Sequence, residues 1–197
     1  VSLNEPSPID LKQAIREEAL RTRDGLNLEQ RDSATTVMTS RVLTYLMTLE
    51  PFTSVAGYSP IRSEINPLSL MNSLIIQGKT LALPVIFGRD LLFRQWLTYT
   101  PLITRQWGLR EPDHDAPLLL PDVLLVPLVA FDAQNHRLGY GKGYYDRALK
   151  VLREQKHIIA IGVGYEVQRV HDIPVEDHDE PLDVIITDQA LYALNKG

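Results

Sequence analysis

The chain has 197 residues, 44% hydrophobic and 23% charged, with a formal net charge of −5; this balance predicts a globular protein with one sizeable core. It has no cysteine, which excludes disulfides, thiolate zinc sites and cysteine nucleophiles and fits a cytoplasmic protein. The acidic balance, without any Lys/Arg tract, excludes a general nucleic-acid binder, and no apolar run is long enough to span a membrane. Residues 1–6 are polar and predict no signal peptide, while the missing initiator Met reads as a trimmed start.

Ser7, Pro8 and Asp10 form a helix-opening signal: a cap, a proline suited to the first turn, and a capping-box partner. The helix they open runs to about residues 24–25, and a second covers 28–49, ahead of Pro51. Short apolar runs at 54–58, 80–83, 91–93, 123–126, 158–163 and 184–186 read as buried strands. Helical patterns at 67–77 and 144–154 fall between them. Such alternation predicts an α/β layered fold with a mainly parallel sheet. Residues 98–121 are polar and proline-bearing and read as a long functional loop. No repeat or low-complexity segment divides the chain, so residues 1–197 read as one domain.

The segment 137–146 concentrates the chemistry. Gly139, Gly141 and Gly143 alternate with Tyr140 and Lys142, Arg137 precedes them, and a helix follows. Small backbone, positive charge and a helix start favour a bound anion, above all a phosphate. The spacing is neither a Walker A sequence nor the dinucleotide fingerprint, and a plain flexible turn is the bland alternative. Asp146 sits in the first helical turn, where it either caps free N–H groups or helps hold Mg²⁺ beside phosphates. The acidic run 176–180 offers a second carboxylate, although most of it reads as a solvated turn. Lys12 and Arg16 share a face of the first helix, with Arg23 near the same line, as a solvated stripe or as a cationic arm for phosphoryl transfer. Glu64 follows a strand's end, where α/β proteins bind ligands. Trp107 and Tyr144 are candidate ring-stacking surfaces or ordinary packing. The histidines show no metal-ligand spacing.

The run 124–146 closely resembles the 5-formyltetrahydrofolate cyclo-ligase family, also called 5,10-methenyltetrahydrofolate synthetases. The likeness extends through Lys12 and Arg16, through Tyr58, Pro60, Glu64 and Ile65, and through segments 81–84, 93–96, 107–112, 162–168, 173–179 and 182–187. It implies a three-layer α/β/α fold akin to sugar-phosphate isomerases and CoA transferases. It also implies ATP- and Mg²⁺-dependent closure of 5-formyltetrahydrofolate to 5,10-methenyltetrahydrofolate through an imidate phosphate. Lys12, Arg16 and Lys142 are then the expected catalytic cations. Arg137, Leu138, Gly139, Tyr140, Gly141, Lys142, Gly143, Tyr144 and Tyr145 would cradle the nucleotide, the last five also facing the folate. Glu64 and Trp107 would bind folate, and Asp146 and Asp179 would hold Mg²⁺. The expected partner is the folate alone, bound by a cytoplasmic monomer, with no nucleic acid and no membrane.

One departure is Leu128, where many members carry glycine; its side chain either narrows the approach to the backbone or fills the core. Two other readings keep the anion-binding loop without ATP turnover. One is a sugar-phosphate isomerase-like enzyme, the other a sensor of folate or of a phosphate ester. Both leave the Asp146/Asp179 and Lys12/Arg16 sets without a role.

Overall fold

The first two helices begin where their capping residues place them in the computed structural model, which describes residues 7–49, 51–105 and 108–193. Ser7 and Asp10 exchange side-chain and backbone hydrogen bonds at 3.3 Å and open α1 (Pro8–Asp24). Asn27 and Gln30 do the same at 2.9 Å for α2 (Leu28–Met47). Then follow β1 (Ser54–Ala56), α3 (Leu68–Ile76), β2 (Thr80–Phe87) and β3 (Asp90–Gln95). A short ribbon, β4 (Ile103–Thr104) with β5 (Arg110–Glu111), precedes β6 (Val123–Pro127). A second ribbon, β7 (Ala130–Phe131) with β8 (Arg137–Leu138), leads to α4 (Tyr144–Gln155). Three strands complete the chain: β9 (Ile159–Val163), β10 (Val184–Ile186) and β11 (Leu191–Ala193).

One seven-stranded sheet has the order β11-β10-β9-β6-β1-β2-β3. Its inner pairs are parallel and only the two edge strands run antiparallel, as the alternating pattern predicts. Successive side chains point to opposite faces, and both faces are buried. Val55, Leu81, Leu125 and Ile161 pack under α2 and α3, whereas Ala56, Leu124, Val126 and Ala160 join Leu149 and Leu152 of α4. The result is three layers, and each fully buried Leu or Val contributes about 1.5–3 kcal/mol relative to leaving it in water. α1 belongs to neither layer. It lays Ala19 over Val129, Ala130 and Leu138, beyond the carboxyl end of β6.

Two expectations need correction. The strand predicted over 80–83 continues through Pro84 to Phe87. Ala82 O accepts from Gly57 on the β1 side, so the nitrogen of Pro84 faces that same side, past the end of β1. No ladder partner waits there, and proline is tolerated. The N–H of Ile86, two residues further, is taken up instead by buried Glu111 at 2.9 Å. Glu111 thereby anchors the β4–β5 ribbon inside the stretch 98–121 that reads as unbroken loop. The ribbons β4–β5 and β7–β8 and the edge strand β11 are too short to leave a periodic signal.

The chain moves outward from β1 to β3 on one side, then returns to β6 and proceeds to β11 on the other. This reversal leaves a crevice at the carboxyl ends of β1 and β6, where open α/β sheets bind ligands. At the opposite end Asp122 locks the same two strands. Its Oδ2 accepts from the N–H groups of Thr53 (2.8 Å) and Ser54 (2.9 Å), and Lys156 Nζ lies 2.5 Å from Oδ1. Burial opposes ionisation, but Lys156 and the Thr53 and Ser54 donors overcome it and hold this carboxyl well below the usual range. Asp122→Ala is expected to destabilise the fold by about 2 kcal/mol at neutral pH, after discounting for partial exposure. Because the folded pKa is depressed, this contribution is full above the unfolded value near ~3.9 and disappears as pH falls through the folded one. Urea melts at descending pH should therefore show wild type and variant converging in acid.

Candidate active site

The crevice opens into a cavity of about 690 Å³. Residues after β1, residues after β6, the loop 139–143, the first turn of α4 and one face of α1 all line it. Gly141 (φ 85°) and Gly143 (φ 64°) hold left-handed backbone that L side chains rarely adopt. Gly143 is also the cap of α4 and offers no side chain, so the first N–H groups of that helix stay available to an anion. The Nε of Arg16 donates to Gly139 O at 2.9 Å and packs against Gly141. Lys142 is exposed at the crest of this loop.

Three further cations are buried around it. Lys12, only 4% exposed, lies 2.7 Å from Glu176 Oε2 and 2.5 Å from Asp179 Oδ2. Burial alone would lower the pKa of its ammonium, but Asp179 and then Glu176 outweigh that and hold it above the ordinary value. Asp179 is in turn kept below the usual carboxylate range, since Lys12 and the Glu176 N–H prevail over its burial. Arg137 donates to Asp146 Oδ1 at 3.0 Å, and the same oxygen accepts from the Glu180 N–H at 3.3 Å. This contact puts Asp146 beside the 176–180 loop, joining two segments that are distant in sequence. Arg23, fully buried, donates to Ser63 Oγ and to the Tyr140 hydroxyl, each at 2.9 Å.

Glu64 forms a separate corner of the cavity. Burial raises its carboxyl to about 7, against the opposing pull of the Ile61 N–H, Arg23, Tyr140 and Arg62. Its Oε2 accepts from Ile61 N at 2.9 Å. Around it, burial pushes the phenols of Tyr58, Tyr140 and Tyr145 up, so they stand neutral as hydrogen-bonding walls. The site thus pairs a cationic, amide-rich loop suited to phosphates with a buried carboxylate suited to a hydrogen-bond-donating ring.

Comparison with known proteins shows the family. Residues 8–188 match the 5-formyltetrahydrofolate cyclo-ligase family. A Haemophilus influenzae protein named 5-formyltetrahydrofolate cyclo-ligase is 36% identical over 183 residues, covering 89% of this chain and 97% of that one. This chain belongs to the 5-formyltetrahydrofolate cyclo-ligase family. The Escherichia coli K12 cyclo-ligase is 32% identical over 86% of this chain and 96% of its own. The NMR structure of Aquifex aeolicus 5,10-methenyltetrahydrofolate synthetase superposes with a TM-score of 0.80 at 30% identity, covering 95% of this chain and 94% of that one. The Mycoplasma pneumoniae synthetase gives 0.74 at 26% identity, covering 90% and 98%.

Of the residues that the family resemblance singles out, Lys12, Arg16, Glu64, Asp146, Asp179 and all of 137–145 line one cavity. Trp107 lies outside the described residues. Leu128 is 3% exposed and stands over Gly162 and Gly164, where an added Cβ would meet it at 3.1 and 2.7 Å. It packs into the core and forms part of the cavity floor. Among the described residues, Glu176, His178 and Asp179 bring ligand atoms within 4.8 Å of one another, although the run 176–180 reads mostly as solvated turn. Arg23 lies seven residues after Arg16 on the same face of α1, as the spacing predicts, but it is fully buried rather than a solvated member of that stripe.

Asp146 serves the fold as well as the site. Asp146→Ala strands the buried Arg137 guanidinium and is expected to destabilise by roughly 3–5 kcal/mol. Asp146→Asn keeps an acceptor at Oδ1 and should lose far less. Denaturant melts of the two variants check this, and equal losses would mean that charge, not the hydrogen bond, holds Arg137.

Proposed function

We propose that the protein closes 5-formyltetrahydrofolate to 5,10-methenyltetrahydrofolate in a reaction coupled to ATP cleavage and dependent on Mg²⁺. The whole chain is read as one cyclo-ligase unit, acting on small molecules as a cytoplasmic monomer. The observation that carries this reading is a single cavity lined both by the glycine loop at the start of α4 and by buried Glu64. Membership of the family supports it further.

The chemistry accounts for the residue types. A formamide is a weak electrophile because its nitrogen lone pair is delocalised, so the formyl oxygen must become a leaving group. That oxygen attacks the γ-phosphorus, the bond to ADP breaks, and an imidate phosphate of the folate forms. N10 then attacks the activated carbon and closes the ring; the carbon–oxygen bond breaks, and inorganic phosphate leaves with the N10 proton. Neither step needs a covalent nucleophile on the protein; both need alignment and charge stabilisation. The backbone amides of 139–143 and the start of α4 hold phosphate oxygens, and Arg16 and Lys142 stabilise the charge that develops during transfer. Glu64, when ionised, accepts from the ring N–H and amino donors of the pterin.

Asp179 and Glu176, with Asp146 adjacent, supply the carboxylate oxygens that Mg²⁺ prefers, and their close spacing fits the ion. When bound, it would neutralise charge on the nucleotide's phosphate oxygens. Lys12 pairs with Glu176 and Asp179. In this reading it turns to the phosphates when they take up the ion.

Absorbance of the methenyl product, with folate, ATP and Mg²⁺ omitted in turn, tests the proposal. Product formation is expected only with all three, and turnover without ATP would overturn it. Arg16→Ala should slow single-turnover phosphoryl transfer by about 10²-fold, whereas a wild-type rate would make Arg16 a loop support only. Lys142→Ala should weaken ATP binding by about tenfold and leave folate binding near wild type, as read by calorimetry. The reverse pattern would assign Lys142 to the folate.

A further inference from the structure

Arg23 is fully buried, so it touches no ligand, yet it contacts two residues of the cavity region from behind. Nε donates to Ser63 Oγ, next to Glu64 in the chain, and Nη2 donates to the Tyr140 hydroxyl in the glycine loop. Its guanidinium carbon also lies 5.8 Å from the centre of the Tyr140 ring. The nearest ion-pair contact is a long one, 4.0 Å to Asp24, whose side chain is 59% exposed and itself accepts from Ser63 Oγ. Nη1 has no hydrogen-bond partner among the described residues. A buried cation so incompletely paired is a poor stabilising device, and an apolar side chain of similar volume would pack at lower cost. Its place is better explained by what it does to its neighbours.

We propose that Arg23 is a positioning residue for folate recognition: it fixes Glu64 and Tyr140 in one frame and supplies the positive charge that keeps Glu64 an acceptor. The inference rests on the reading that Glu64 takes the pterin ring. The groups facing Glu64 are Arg23 from α1, Arg62 from its own loop, Tyr140 from the glycine loop, Tyr58 after β1, and Tyr145 from α4. Only the two arginines carry positive charge. Arg62 lies over the same ring, 5.6 Å from the Tyr140 ring centre, so Tyr140 is shared by both cations.

Calorimetric titration of 5-formyltetrahydrofolate without ATP, from about pH 6 to 9, separates this role from a merely structural one. Glu64 is poised at about 7, and only its ionised form accepts from the pterin. Wild-type affinity should therefore fall up to tenfold for each pH unit below that midpoint. Arg23→Gln should move the midpoint to more alkaline pH by roughly one pH unit. Arg23→Lys, which keeps the charge, should restore it. In a Glu64→Gln background the pH dependence should vanish, and adding Arg23→Gln should change folate affinity no further. ATP affinity, measured in parallel, should stay within about twofold of wild type. Equal losses of folate affinity in both backgrounds, with an unmoved midpoint, would overturn the proposal. If circular dichroism shows that Arg23→Gln does not fold, Tyr140→Phe and Ser63→Ala carry the test. Each removes one tether and should lower folate affinity severalfold, Ser63→Ala at an unmoved midpoint and Tyr140→Phe with a midpoint shifted to more alkaline pH because Tyr140 also helps hold the Glu64 carboxyl down; wild-type affinity in both sinks the idea. A wild type that binds ATP but no folate at any pH overturns the functional reading, and the inference with it.

Discussion

Burying a cation costs several kcal/mol unless something negative or strongly accepting meets it. The site of this protein is organised around that constraint. Lys12, Arg23 and Arg137 are all withdrawn from water, and each finds its partner on a different segment of the chain. Lys12 reaches from α1 to the 176–179 loop, Arg23 from α1 to Ser63 and Tyr140, and Arg137 from β8 to α4. These bonds tie α1 to the loop after β1, the glycine loop and the acidic turn, and β8 to α4. Take away α1 and two of the three ties are lost, which is why a helix outside the main layers matters so much to the cavity.

The carboxylates of the site are paired with its buried cations. Asp179 and Glu176 neutralise Lys12, and Asp146 neutralises Arg137. The site is therefore internally compensated rather than simply positive. Glu64 stands apart from that pairing, because its own burial keeps it near the balance between charged and neutral forms.

The sheet sets where this happens. Reversal of the strand order at β1 and β6 opens the crevice, and Asp122 locks those two strands at the other end. Pro84 and Gly57 sit just past the end of the β1–β2 pairing, and Pro84 lines the cavity there. The consequence is a firm floor, extended by Leu128 over Gly162 and Gly164, beneath a roof made of loops and α1.

Much of this was legible in the residues. The cap at Ser7, the apolar strand runs, and the glycine spacing before α4 follow from local rules, since capping, periodicity and left-handed glycine involve neighbours within a few positions. The cavity residues Lys12, Arg16, Glu64, Asp146 and Asp179 were recognisable through family resemblance, though no local rule brings them together. Tertiary structure decided the rest. It carried β2 through Pro84, because whether a missing N–H matters depends on which strand lies opposite. It made the 176–180 turn part of the site, because an acidic run looks solvated until Lys12 and Asp146 are seen against it. It gave Arg23 its role, because burial and long-range partners are properties of the folded chain. Local sequence determined which elements form and where an anion can sit; only the packing of distant segments decided which charges face one another and which are left for a ligand.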